Sequence, residues 1–289
     1  MRHGKSLKIF LIDGLPTGIW TCELSNWTGK AYKIPRTQYK KCLERTELRS
    51  PSVYLLFGHD NETGNPIVYI GETEDPVKRL GEHIQDIKKE YWNEAIIFFS
   101  KDDHLNKAHI KYLESRLYQI ASEVKRYLVM NSQPPKKSAI SEAEVAEMEE
   151  FIDNIKIIVP ALGHKVFDTL VPLSVSDTNE NSSDIQPEYL YIRNKNGISA
   201  KGFQSSEGFV VCKDSNIKEQ ISEKSLNSNI IKLRGKYLQD GTIIDYIFVK
   251  DALFTSPSAA SDFVLGNSTS GPMMWKNSDG VTLKELNEG

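Results

Sequence analysis

Only three cysteines occur in the 289 residues, Cys22, Cys42 and Cys212. They are odd in number, scattered and without metal-ligand spacing, which excludes a disulfide scaffold or a zinc finger and fits a reducing cytoplasm. Long apolar runs are missing too. The longest early one, Ile9-Phe10-Leu11-Ile12, is too short for the core of a secretory signal, and nothing approaches the roughly 20 apolar residues of a membrane span. Nor is there an excess of positive charge: 36 Lys and Arg against 39 Asp and Glu leave a net charge of −3, unlike a chain-wide basic nucleic-acid binder. No repeat recurs along the chain. The glycine-rich run Gly266-Asn267-Ser268-Thr269-Ser270-Gly271 lacks the following Lys-Ser/Thr of a phosphate loop, and His104 and His109 lack paired Cys or Asp spacing.

What is present is ordinary for a globular protein. Hydrophobic residues make up 39% and charged residues 26%, which excludes wholesale disorder, a collagen helix or a pure coiled coil. The length suggests two domains. Residues 1–50 open with a short strand-like run and end in a basic segment holding Lys30, Lys33, Arg36, Lys40, Lys41, Arg45 and Arg49 against Glu44 and Glu47. Such a run is as readily a solvated surface as a phosphate-binding one; Lys30, Arg36, Lys40 and Lys41 are its candidate nucleic-acid contacts.

Residues 51–135 alternate strand and helix signals. Val53–Phe57 and Ile67–Ile70 are β-rich runs around a cluster of turn formers at 59–66, which predicts a hairpin. Asp75-Pro76 reads as an N-cap followed by proline at the first helical position, before Val77, Leu80, Ile84, Ile87 and Tyr91 at helical spacing. A third strand at 95–99 precedes a long helix whose apolar face includes Leu113 and Leu117. In residues 136–170, Ser141 and Glu144 form a capping box ahead of an acidic-faced scaffold helix. A polar linker over 171–188 then leads to a module at 189–289 with strand-like runs at 189–192, 209–212 and 246–249. There Trp275 and Phe254 read as core, and Ser256-Pro257-Ser258 as a helix cap.

The chemistry-bearing residues cluster behind the hairpin. Tyr54 and Tyr69 sit in strands, and Gly71 ends the second. Arg79 and His83 are four apart on the next helix and share a face. Glu114 lies about 60° from Leu117, at the edge of the apolar stripe of the long helix. Phosphodiester hydrolysis needs such a set: a carboxylate for Mg²⁺, an arginine for the phosphate oxygens, and a group to take a proton from water. A tyrosine is a poor base at its ordinary pKa of about 10. Nearby positive charge must lower that value, or His83 must share the proton transfer.

In this order the residues resemble the GIY-YIG nuclease superfamily, named for two short strand motifs. They read here Ser52-Val53-Tyr54, which departs from the name at two positions but keeps the tyrosine, and Tyr69-Ile70-Gly71. Arg79, His83, Glu114 and Asn131 follow at about the family's spacings, so the resemblance covers residues 51–135. It implies an α/β (α+β) fold with a small three-stranded antiparallel sheet flanked by helices. It also implies roles: Tyr54 as the base that activates water, Tyr69 assisting, Arg79 stabilising the pentavalent phosphate and His83 helping Tyr54. Glu114 would be the ligand for Mg²⁺ or Mn²⁺, and Asn131 a structural support, although Asn-Ser-Gln-Pro-Pro would also serve simply as a turn. The leader resembles one found in a bacterial subgroup of these proteins. Residues 189–289 resemble an uncharacterised module often attached to them, a second small α+β domain similar to those accompanying restriction enzymes and DNA adenine methylases.

Two functions follow. One is a Mg²⁺-dependent endonuclease cutting DNA to 5′-phosphate and 3′-hydroxyl ends. The other is a non-catalytic nucleic-acid-binding or assembly protein on a nuclease fold, for which the mild acidity argues. The complete active-site set favours the first.

Overall fold

The run Val53-Tyr54-Leu55-Leu56-Phe57 has no charged residue to turn toward water, so a strand made from it needs cover on both faces. The computed structural model describes residues 3–60, 62–169, 187–195 and 197–288, and in it that cover is present. The chain divides into two compact units, Arg2–Asp168 and Thr169–Gly289. All but the last two residues of the linker expected over 171–188 lie outside the described residues. Among the described residues no helix is long and apolar enough to cross a membrane.

The first unit runs β1 (Leu7–Leu11), β2 (Trp20–Leu24), β3 (Gly29–Pro35), β4 (Ser52–His59), β5 (Pro66–Thr73), α1 (Pro76–Gln85), β6 (Trp92–Ser100), α2 (Lys107–Val124), β7 (Leu128–Val129) and α3 (Glu142–Ala161). The expected antiparallel three, β6-β4-β5, form the middle of a seven-stranded sheet ordered β1-β2-β3-β6-β4-β5-β7. The leader supplies β1 to β3, with β3 pairing antiparallel to β6, while β7 adds a short parallel strand beside β5. One sheet face buries Val53, Leu55, Phe57, Val68 and Ile70 under α2 and α3. The other buries Tyr54, Leu56 and Ile97 with Val77 and Leu80 of α1.

Local signals set the helix starts. The Asp75 side chain accepts the Lys78 N–H at the head of α1, and Ser141 and Glu144 close the capping box of α3. The end of α1 differs from the sequence reading. The helix stops at Gln85, Asp86 turns extended (φ −79°, ψ 104°), and Ile87, expected on the apolar stripe, is 81% exposed.

Arg36, a candidate phosphate contact, fastens this break. Its Nη1 donates to the carbonyls of Lys89 (2.8 Å) and Trp92 (3.4 Å), its Nη2 to that of Ile84 (3.3 Å), and its guanidinium stacks on Trp92 at 4.6 Å. Lys30 pairs with Glu47 at 2.8 Å and Lys41 with Asp13 at 2.9 Å. Of the four basic candidates, Lys40 is exposed without such a partner among the described residues. Arg36→Ala is therefore expected to cost about 2 kcal/mol, roughly 4–8 °C in a circular-dichroism melt, whereas Lys40→Ala leaves the midpoint unchanged.

The second unit contains β8 (Leu190–Arg193), β9 (Ser199–Ser205), β10 (Gly208–Val211), α4 (Ser228–Gln239), β11 (Ile243–Ile244), β12 (Ile247–Phe248), β13 (Ala252–Phe254), α5 (Pro257–Leu265), α6 (Gly271–Met274) and α7 (Leu283–Glu288). Its main sheet is ordered β13-β10-β9-β8. Phe209, Phe248, Phe254, Phe263 and Trp275 form its core, and Ser256 caps α5 as expected. Buried Trp275 places its indole N–H on the Pro257 carbonyl at 3.0 Å.

Candidate active site

Antiparallel register decides which side chains of the two motifs meet. Tyr54 stands directly opposite Gly71, and Leu56 opposite Tyr69, so both tyrosines share the face covered by α1. Their rings stack at 6.2 Å between centroids. The glycine has a steric cause: a Cβ on Gly71 would fall 2.4 Å from both Cζ and Oη of Tyr54. The tyrosine of one motif therefore demands the glycine of the other.

Tyr54, 1% exposed, is met by two side chains from successive turns of α1. Its Oη lies 2.7 Å from His83 Nε2 and accepts the Arg79 Nε–H at 3.3 Å. Arg79 also pairs with Glu82 at 2.6 Å. Burial pushes the Tyr54 phenol well above its ordinary value, Tyr69 adds to this, and the Arg79 hydrogen bond and charge pull it back. Desolvation opposes the Arg79 charge, but the bonds to Tyr54 and Glu82 outweigh it and keep the guanidinium ionised. His83 is equally buried. Burial first, then the charges of Lys89 and Arg79, bring it down to about 3, so the ring is neutral at physiological pH.

Lys89 is the residue that sequence reasoning missed. Its Nζ lies 3.0 Å from His83 Nδ1 and 3.8 Å from the centroid of the Tyr69 ring. On a continuous helix His83 and Lys89, six apart, would point about 120° away from each other. The break at Asp86 turns the chain back and brings them together. Burial and the Arg79 charge lower Lys89 to about 8, against the pull of Asp86.

Glu114 projects from α2, on the opposite sheet face, where β5 is an open edge beyond its short pairing with β7. It is half-buried and makes no hydrogen bond or ion pair among the described residues. Burial, then the neighbouring Glu72, raise it to about 7, while Lys107, Arg79 and Lys111 oppose the rise. Glu72, also unforeseen, pairs with Lys107 at 2.6 Å. Arg79 thus acts on both Tyr54 and Glu114, and the site wraps around the end of β5. An unpartnered, half-buried carboxylate beside a second one is the hard-oxygen donor set that suits Mg²⁺ or Mn²⁺ with its remaining waters. No group of three or more candidate ligands is assembled among the described residues.

Asn131 works as a backbone substitute. The β5–β7 ladder ends where the Met130 N–H donates to the Val68 carbonyl. The Asn131 side chain takes the next rung, accepting the Ile70 N–H at 3.1 Å and donating to the Ile70 carbonyl at 2.7 Å. It pins the residue between Tyr69 and Gly71, beyond what a turn would require. His109, by contrast, ties α2 to Glu144 of α3 at 3.2 Å.

Residues 50–127 match the GIY-YIG catalytic domain, and residues 190–287 match a domain of unknown function, DUF4357. No curated protein and no solved structure matches the chain. The first match takes in Tyr54, Tyr69, Arg79, His83 and Glu114, while Asn131 lies beyond it. The chain thus carries a nuclease-type catalytic domain followed by a module of unknown function, and a nuclease domain implies a nucleic-acid substrate. Nucleases of this kind generally use divalent metals.

Proposed function

We propose that the protein is a divalent-metal-dependent endonuclease, working in the cytoplasm, that hydrolyses phosphodiester bonds in DNA with Tyr54 as the base. The observation that carries this reading is the convergence of His83 and Arg79 on the Tyr54 hydroxyl. The Arg79 N–H, joined by the His83 Nε2–H when that nitrogen carries the ring proton, stabilises the phenolate and works against the burial that holds the phenol neutral. The phenolate takes a proton from the attacking water. Arg79, fixed by Glu82, offers its remaining N–H groups to a phosphate as negative charge builds on it. Tyr69 and Gly71 shape the floor beneath, and Asn131 keeps that strand in register. Glu114 would hold Mg²⁺, which when bound neutralises phosphate charge and stabilises the departing oxygen.

The test is incubation of the protein with supercoiled plasmid, single-stranded DNA and RNA, in Mg²⁺ or EDTA. Nicking of DNA that needs Mg²⁺ and leaves 5′-phosphate ends is the expected result. Binding without cutting, weakening steeply with salt, would instead identify a non-catalytic platform.

A further inference from the structure

Tyr54 must lose its proton before it can act, and the structure offers that proton a route. From the phenol the chain of contacts runs Tyr54 Oη to His83 Nε2 at 2.7 Å and His83 Nδ1 to Lys89 Nζ at 3.0 Å. Both ring nitrogens are thereby engaged, one by the tyrosine and one by the lysine. A neutral imidazole carries one N–H and one acceptor nitrogen, so the state of Lys89 dictates which end donates. A charged ammonium has no lone pair and forces Nδ1 to accept, leaving the proton on Nε2, aimed at the phenolic oxygen. An uncharged amine can accept from Nδ1–H, leaving Nε2 to receive the phenolic proton.

We propose that Lys89 is a positioning residue that activates Tyr54 through His83, as the terminal proton acceptor of a three-member relay. The Tyr54 O–H bond breaks as its proton passes to Nε2. The Nδ1–H bond breaks as that proton passes to the lone pair of Lys89 Nζ. Phenol and amine become phenolate and ammonium; His83 is neutral before and after and only exchanges tautomers. This rests on the reading of Tyr54 as the base.

Three features of the site favour the relay. His83, lowered to about 3, resists becoming an imidazolium, so it conducts a proton better than it stores one. Lys89, lowered to about 8, supplies an appreciable uncharged fraction near neutral pH. Arg36 holds the Lys89 carbonyl from the leader side, which fixes the segment presenting the amine. The charges facing the pair are Arg79, Glu82 and Asp86 on or at the end of α1, and the Tyr69 ring lies against both members; Tyr91, beside Tyr69 and Asp86, is itself pushed up to about 12 by burial and by those two groups.

The experiment has two arms. In the DNA-free protein, ¹⁵N spectra of the imidazole rings are followed from pH 6 to 10, with His83 assigned from His83→Gln. The His83 proton is expected to move from Nε2 to Nδ1 with a midpoint near 8 in the wild type, and to stay on one nitrogen throughout in Lys89→Met. A pH-independent His83 tautomer in the wild type overturns the proposal. In the second arm, single-turnover cleavage is measured against pH. The wild-type rate rises through about pH 8 and levels; Lys89→Met is slower at pH 8 by about tenfold or more, with its rise displaced to higher pH. Lys89→Arg, permanently charged, does not restore the wild-type profile. A Lys89→Met profile that rises at the same pH as wild type overturns the relay. A wild type that shows the tautomer switch and cuts no nucleic acid overturns the hydrolytic reading while supporting the relay.

Discussion

Glu114→Gln is expected to lower Mg²⁺-dependent cleavage by about 10³-fold and yet to yield a folded protein more stable than wild type above neutral pH. The loss in rate follows from removing the one carboxylate at the site that has no hydrogen-bond or ion-pair partner among the described residues, since a bound metal contributes several kcal/mol of charge stabilisation. The gain in stability follows from the raised pKa of Glu114, about 7 when folded against 4.5 as its ordinary value. Below both values the group is protonated in either state and costs nothing. Between them the unfolded chain releases a proton that the folded chain retains, so wild-type stability falls as pH rises. Above about 7 the folded protein carries the full penalty of a half-buried anion, and a neutral glutamine does not. Melting curves of both proteins at pH 4.5 and pH 8, with and without Mg²⁺, check this. The midpoints should separate only at pH 8, and added Mg²⁺ should raise the wild-type midpoint alone.

The second large effect is expected from Gly71→Ala. One added methyl would meet Tyr54 Cζ and Oη at 2.4 Å, and Tyr54 cannot yield because β6 pairs with β4 on its far side while Arg79 and His83 hold its hydroxyl. Either β5 shifts away or the phenol leaves His83 and Arg79. The first costs about 1–3 kcal/mol of stability as overpacking, and the second costs the base. A loss of cleavage of about 10²-fold together with a lower melting midpoint is the expected pair of results. Wild-type cleavage by Gly71→Ala would mean that Tyr54 does not need its observed position.

Much of this architecture is legible in local sequence. The hairpin, the Asp75-Pro76 helix start and the Ser141/Glu144 capping box depend on residues within a few positions of one another, and each is found where expected. Tyr54, Tyr69, Arg79 and His83 come together because strand alternation and the helical repeat act over the same short distances. The features that were not legible depend on partners far along the chain. The leader reads as a basic segment because its charges can be counted but their partners cannot. Glu23 and Glu47 for Lys30, Asp13 for Lys41 and three backbone carbonyls for Arg36 emerge only once β3 lies against β6. Lys89 was hidden by a periodicity carried one turn too far: Ile87 and Tyr91 fit the helical spacing, but Asp86 ends the helix and turns Lys89 onto His83. Glu72 was hidden because it lies one residue past the second motif, on the opposite sheet face from Tyr69 and Gly71, where only α2 gives it meaning.

The most direct measurement is single-turnover nicking of supercoiled plasmid by Tyr54→Phe beside wild type, in Mg²⁺ at pH 8. Phenylalanine keeps the ring packed against Tyr69 and Gly71 and removes only the oxygen on which His83 and Arg79 converge. Wild-type nicking with a loss of about 10²-fold or more in the folded variant is the predicted result. Equal rates in the two proteins would contradict the assignment of Tyr54 as the base.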